Sequence, residues 1–182
     1  ISEALMRNGK INYSNIITVS GDYLGYRCRA QFHKAAGDLA GFKKRNSSEV
    51  INIRSCPICN NPINRFLESD PKISEERVML FAPAEKVYIE DDSKAYPGDR
   101  KAYIRSEINV DLSYKTIATS PGVFFQSNIP MLEKSASLIK SCVKGDKVFD
   151  LYCGVGVLGA ALSEKAELIV SVESSRKAIE FA

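Results

Sequence analysis

Two acids and a glycine turn carry the chemistry in this sequence. Asp150 closes an apolar stretch, KVFD, and is followed by Leu151-Tyr152-Cys153-Gly154-Val155-Gly156, and a second apolar stretch, LIVSV, runs into Glu173. Glycines at 154 and 156 can take positive φ and, having no Cβ, let a ligand come close to the backbone. An acid at the tip of the following strand is placed to accept from both hydroxyls of a ribose. Asp150 and Glu173 therefore bracket a turn suited to an adenosine-containing cofactor. Gly154, Gly156 and Gly159 also meet the bare G-x-G-x-x-G spacing of a dinucleotide site. Asp150 argues against that reading, since its charge is unfavourable beside a pyrophosphate and compatible with a sulfonium and an amino group. S-adenosylmethionine is preferred to NAD on this ground.

The elements that must hold these residues follow from the flanking patterns. The segment 147–173 reads as strand, loop, helix and strand. Ahead of it, Asn128 is an expected N-cap for a helix whose Ile129, Leu132, Ala136, Ile139 and Val143 recur at helical spacing, with Gly145 as its stop. Gln126, just before that helix, is expected at the cofactor mouth, where its amide offers a donor and acceptors. Ser120-Pro121-Gly122 marks a boundary.

Upstream the pattern changes. Tyr26, Cys28, Ala30 and Phe32 alternate with Arg27, Arg29, Gln31 and His33, the period of a half-exposed strand. Gly37-Asp38 predicts a turn, Leu39 to Phe42 a returning strand, Lys43 to Asn46 a polar tip, and Glu49 to Ile53 a third strand. Seven of the 25 Lys and Arg residues fall between Arg27 and Arg54, against Asp38 and Glu49 alone. Arg27, Arg29, Lys43, Lys44 and Arg45 are thus candidates for contact with a phosphate backbone, which would release condensed counterions; a solvated basic face is the alternative. His33, the single histidine, receives no role.

Cys56 and Cys59 stand at C-x-x-C spacing, half of a metal site or simply two thiols ahead of a helix expected over Asn61 to Ser69. Cys28, Cys142 and Cys153 read as packed thiols. Ser2 to Asn8 reads as a helix tail closed by Gly9. Arg77 to Phe81 and Lys86 to Glu90 read as a strand pair, Glu90 to Asp92 and Tyr96 to Asp99 as loop, and Asn109 to Thr119 as further strand. With 182 residues, 45% hydrophobic and 26% charged, and a net charge of +3, the chain has the composition of a globular protein. No run of apolar residues reaches membrane-spanning length. An odd cysteine count without framework spacing points to a reducing cytoplasm. The interrupted patterns at both ends predict a fragment of a longer protein.

Taken together, GYRCRAQFH, GFKKRNSSEVINIRSCPIC, FFQSN before a helix, and FDLYCGVG with a strand ending in VE resemble the RNA uracil-5-methyltransferases of ribosomal and transfer RNA. That resemblance implies an α/β chain. A small α+β central RNA-binding domain with antiparallel strands (1–117) would precede the first part of a class I, Rossmann-like methyltransferase domain (118–182). It implies S-adenosylmethionine contacts for Gln126, Tyr152 and Glu173, joined by Asp150, Gly154 and Gly156 from the reading above. Val157 departs from the Asn or Thr common there. Some family members hold an iron–sulfur cluster through three N-terminal cysteines and one in a CPI motif, and Cys56 matches the last. The family reaction adds a cysteine thiolate to uracil carbon-6, methylates carbon-5, and removes its proton with a carboxylate. The residues that match those two catalytic groups are expected beyond this stretch. RNA is the implied partner, ribosomal ahead of transfer RNA on the CPI motif, with no membrane partner and no implication for oligomeric state.

Overall fold

A computed structural model describes residues 1–13, 16–91 and 107–182. The loop expected at Tyr96 to Asp99 lies outside the described residues, as does Asp92. The first helix, α1 (Ser2–Gly9), ends one residue later than its glycine predicts. Lys10, at φ 56°, takes the left-handed position, and its N–H returns to the Met6 carbonyl. Gly9 serves packing instead, since a Cβ there would lie 3.2 Å from the Ile11 side chain.

The basic, alternating segment forms a five-stranded antiparallel sheet in the order β3-β2-β1-β4-β5. Its strands are β1 (Arg29–Lys34), β2 (Ala40–Lys43), β3 (Val50–Asn52), β4 (Arg77–Phe81) and β5 (Tyr88–Asp91). The period-two reading holds where it matters: Cys28, Ala30 and Phe32 are buried, and Arg29, Gln31 and His33 are half-buried on the other face. A turn of 3-10 helix (Ala36–Asp38) occupies the Gly37-Asp38 position, both residues at positive φ.

Helix α2 (Asn61–Glu68) covers the inner face. Asn60 caps it by accepting from the Ile63 N–H at 3.3 Å, and Pro62 sits in the first turn, where no intrahelical donor is lost. Its Ile63 and Leu67 share a core with Phe32, Val78 and Leu80. Burial of each such side chain contributes roughly 1.5–3 kcal/mol relative to exposure. Phe32 also stacks on Phe42 with ring centroids 4.8 Å apart.

The expected strand over Asn109 to Thr119 is a hairpin, β6 (Ile108–Asp111) and β7 (Thr116–Thr119), closed by the Leu112 N–H on the Lys115 carbonyl. The expected division after Ile117 falls inside β7. Val110 and Ile117 pack with Phe125, Leu132, Val155 and Ala178, so the hairpin belongs to the second core, which Phe81 joins from the five-stranded sheet and Cys28 from the residue just ahead of β1.

That core lies under α3 (Ile129–Cys142), β8 (Lys147–Leu151), α4 (Val157–Leu162), β9 (Leu168–Val172) and α5 (Arg176–Ile179). Helix α3 stops before Gly145, because Val143 already has extended backbone. Strands β8 and β9 pair in parallel with Asp150 opposite Ser171 and Leu151 opposite Val172. Phe149, Leu151 and Val172 are exposed.

Residues 25–28 run between two loops. The Arg27 N–H donates to the Ile58 carbonyl and the Arg27 carbonyl accepts from Asn60, while the Cys28 N–H donates to Ser127 at 2.8 Å. Among the described residues no helix is long and apolar enough to cross a membrane.

Candidate cofactor cleft and nucleic-acid face

The stretch 121–128 alternates as it enters α3. Val123 and Phe125 point into the core, with Phe125 5.6 Å from Phe81 by ring centroid, so Phe124 and Gln126 face outward. Asn128 then caps α3, accepting from the Met131 N–H at 3.0 Å. The cap and the buried phenylalanine together fix the position of Gln126.

Across from it, the loop after β8 turns through three residues at positive φ: Tyr152 (62°), Gly154 (58°) and Gly156 (76°). The first is unusual, since a bulky side chain in this region carries strain. Tyr152 nevertheless projects into solvent at 89% exposure. The loop is tied down from behind. Its Cys153 N–H continues the strand ladder to the Val172 carbonyl, and its Gly154 N–H donates to Glu173 Oε2 at 3.0 Å.

Between these walls lies a cleft of about 350 Å³, lined in part by Phe124, Gln126, Asp150, Tyr152 and Gly154. A Cβ on Gly154 would meet nothing within 4 Å, so open space stands in front of the loop there. Four of the six expected cofactor residues (Gln126, Asp150, Tyr152, Gly154) thus line one cavity. The other two stand elsewhere. Gly156 faces Ala182, whose atoms lie 3.6 Å from an added Cβ, and its left-handed backbone starts α4. Glu173 lies behind the loop, where its carboxylate accepts from Gly154, Ser174 and Ser175 N–H groups. Its link to the cleft runs through Gly154.

The two acids are tuned in opposite directions. Burial raises the Asp150 carboxyl above its ordinary value, partly offset by the Gly159 N–H that donates to Oδ2 at 3.1 Å. The backbone N–H groups of Ser175, Gly154 and Ser174 hold Glu173 below its ordinary value. Burial, followed by the nearby Asp150 and Glu173 charges, raises the Cys153 thiol, so this cysteine is a poor nucleophile.

The basic residues separate into two groups. Lys43, Lys44 and Arg45 are exposed at the β2–β3 tip, with Lys44 paired to Glu49 at 3.4 Å. Arg27 and Arg29 are half-buried, and the Nε of each is buried without a hydrogen-bond partner among the described residues. Arg29 donates from Nη2 to the Pro121 carbonyl and lies over the Phe124 ring at 5.9 Å, bracing the cleft wall. Phe124 itself escaped the sequence reading, although the Phe124-Phe125 doublet is its signal: one ring must go in and the other out.

Cys59 is buried, Cys56 half-buried, and Asn64 clasps their turn by accepting from the Cys56 N–H and donating to both carbonyls. Burial and then Cys56 push the Cys59 thiol up to about 12. Among the described residues no group of three or more potential ligands surrounds the pair. Two sulfurs, one of them strongly proton-retaining, do not fit a four-sulfur cluster by themselves.

Residues 114–182 match the family model "Methyltransferase small domain". The chain is 31% identical over 169 residues, 91% of its length, to an uncharacterized RNA methyltransferase of Treponema denticola. It is a relative of the RNA uracil-5-methyltransferases. A tRNA (uracil-5-)-methyltransferase homolog A of Mus musculus is 27% identical over 91% of the chain, and a 23S rRNA uracil-C5-methyltransferase of Aeromonas hydrophila 25% identical over 73%. The chain spans only 39%, 27% and 39% of those three proteins. In fold it matches the crystal structure of Pyrococcus abyssi tRNA (uracil-54, C5)-methyltransferase in complex with S-adenosyl-L-homocysteine. The TM-score is 0.69 at 18% identity, over 99% of this chain and 56% of that one. The α/β architecture of this family is therefore the architecture of the chain.

Proposed function

We propose that the chain is part of an S-adenosylmethionine-dependent enzyme that methylates carbon-5 of uridine in RNA, and that it supplies the first half of the cofactor site and a surface for the RNA. The observation that carries this reading is the single cleft in which Gln126, Asp150, Tyr152 and Gly154 converge. The cofactor supplies an electrophilic methyl group on a sulfonium. Asp150 offers the opposite charge to the amino group of such a ligand, the Gln126 amide orients its polar end, and Gly154 leaves room against the backbone. Glu173 acts first as the brace that sets the Gly154 peptide; a ribose hydroxyl would add to, or exchange with, its backbone bonds.

The nucleophile belongs outside this stretch. Cys28 and Cys59 are buried, with thiols pushed up to about 11 and about 12, Cys153 is raised by burial and two acids, and Cys142 is exposed on α3. None of these four combines thiolate character with the cleft, and Cys56 does not line it. Ribosomal RNA is placed ahead of transfer RNA on Cys56 of the CPI motif, with the full protein as the bearer of any cluster, and the cytoplasm is the proposed compartment. Calorimetric titration of the chain with S-adenosylhomocysteine is the test. Binding that Gln126→Ala weakens supports the reading, and equal binding of NAD would overturn it.

A further inference from the structure

The outer face of the five-stranded sheet carries a groove that the sequence reading left without a role. Its floor is Gln31 and His33 of β1. One wall is Lys43, Ser48 and Val50 from the β2–β3 hairpin, and the other is Glu76 and Arg77 at the head of β4. The groove encloses about 620 Å³. Its depth has a cause in sequence. His33 pairs with Gly41 on β2, and an added Cβ at Gly41 would lie 2.2 Å from the Ile51 carbonyl oxygen and 2.9 Å from Val50. Only glycine lets β3 curl this far over the sheet, which raises a wall beside His33.

The groove's chemistry is that of an anion seat. Lys43 and Arg77 bring two cations to it, with Arg77 directly opposite His33 in the β1–β4 register, and Glu76 is the one acid in its lining. Glu90 is a second acid nearby, lining an adjoining pocket with Gln31, Arg77 and Met79. His33 Nε2 is 3.1 Å from Gln31 Nε2, so the amide donates and the imidazole accepts; its other contact is with the Glu76 backbone. That arrangement needs the neutral ring. Burial first, then Lys43 and Arg77, lowers its basicity. The open end of the groove is continuous in sequence with the exposed Lys44 and Arg45 tip.

We propose that this groove seats a phosphodiester of the RNA, with Lys43, Arg77 and the Gln31–His33 pair as its contacts. The proposal rests on the RNA reading above. A phosphate between the two cations offsets the part of the suppression of His33 protonation that their charge adds to burial. The ring then takes up a proton at Nε2, and the Gln31 amide turns over, so that its oxygen accepts from the ring and its N–H₂ is freed toward the phosphate. Binding is therefore linked to proton uptake and strengthens as pH falls through the window between the free and bound imidazole values.

The test uses the whole chain with a short single-stranded oligouridylate, and inorganic phosphate as a second probe. Lys43→Ala, a substitution at an exposed site, is expected to lower affinity and to reduce the slope of log K against log salt by about 0.7. His33→Gln is expected to abolish the pH dependence of binding, and the His33 ring proton signals should move toward the protonated form when oligouridylate is added. No RNA binding by the parent chain would overturn both this proposal and the RNA reading. RNA binding that Lys44→Ala and Arg45→Ala weaken, while Lys43→Ala and His33→Gln leave it and its pH profile unchanged, would overturn the groove alone. A His33 response to inorganic phosphate but none to oligouridylate would also overturn it.

Discussion

Glu173 accepts from the Gly154 N–H at 3.0 Å, joining the tip of β9 to the loop that follows β8. The acid at the end of the second strand thereby sets the peptide that lines the cleft, before any ligand is present. Removing it leaves the Gly154, Ser174 and Ser175 donors without their acceptor. Glu173→Ala is expected to weaken S-adenosylhomocysteine binding by roughly tenfold or more, and Glu173→Gln, which keeps an acceptor, by less. Calorimetry on both variants checks this; equal losses would mean that charge rather than loop geometry is what matters.

The two acids should respond to pH with opposite signs. Glu173 is held below its ordinary value, so its stabilisation is present above the unfolded value of 4.5 and is lost as pH falls through the lower folded value. Asp150 is raised above 3.8, so its ionised form costs stability at neutral pH, and that cost disappears as pH falls through the raised value. Thermal melts should show Asp150→Asn at least as stable as the parent at pH 7, with the difference vanishing in acid. Glu173→Gln should unfold at a higher pH than the parent during acid titration.

Tyr152 combines left-handed backbone with an exposed ring. Relief of about 1–2 kcal/mol of left-handed strain offsets the roughly 0.5–1 kcal/mol of extra chain entropy that a glycine brings. Tyr152→Gly is therefore expected to stay within about 1 kcal/mol of the parent in denaturant unfolding while losing cofactor affinity. A large loss of stability would show that the ring packs somewhere.

Phe125 is the anchor that turns Gln126 outward. Its replacement by alanine should cost about 3–5 kcal/mol in denaturant unfolding, from lost burial and the cavity left beside Phe81. Phe124→Ala, on the exposed side of the same doublet, should cost far less and act on ligand binding.

Thiol labelling at neutral pH should follow burial. Cys142, exposed on α3, reacts first, and Cys28 and Cys59 react only on unfolding, since both are buried and their thiols are raised. Rapid labelling of Cys59 in the native chain would contradict the packing of the Cys56 turn.

Much of this was legible in advance where one residue type answers to one physical demand. The alternation around Phe32, the Asn128 cap and the glycine turn after Asp150 each follow from local rules. What was not legible depended on residues far apart in sequence. Arg29 reads as a free basic residue until Phe124 and the Pro121 carbonyl come to meet it. Gly41 reads as an ordinary strand glycine until β3 folds across it, and His33 acquires neighbours only then. The division expected after Ile117 falls inside β7, because a hairpin's allegiance is decided by which core its buried side joins. Glu173 was found at the expected tip, but local patterns gave no sign that backbone amides would already occupy its oxygens.

The short run Arg27–Cys28 has two sets of fastenings, one to Ile58 and Asn60 beside the cysteine turn and one to Ser127 beside Gln126. The two sets of attachments sit on adjacent residues, so a shift at one strains the hydrogen bonds of the other. A displacement of the Cys56 turn would bear on the mouth of the cleft through the single peptide that joins Arg27 to Cys28.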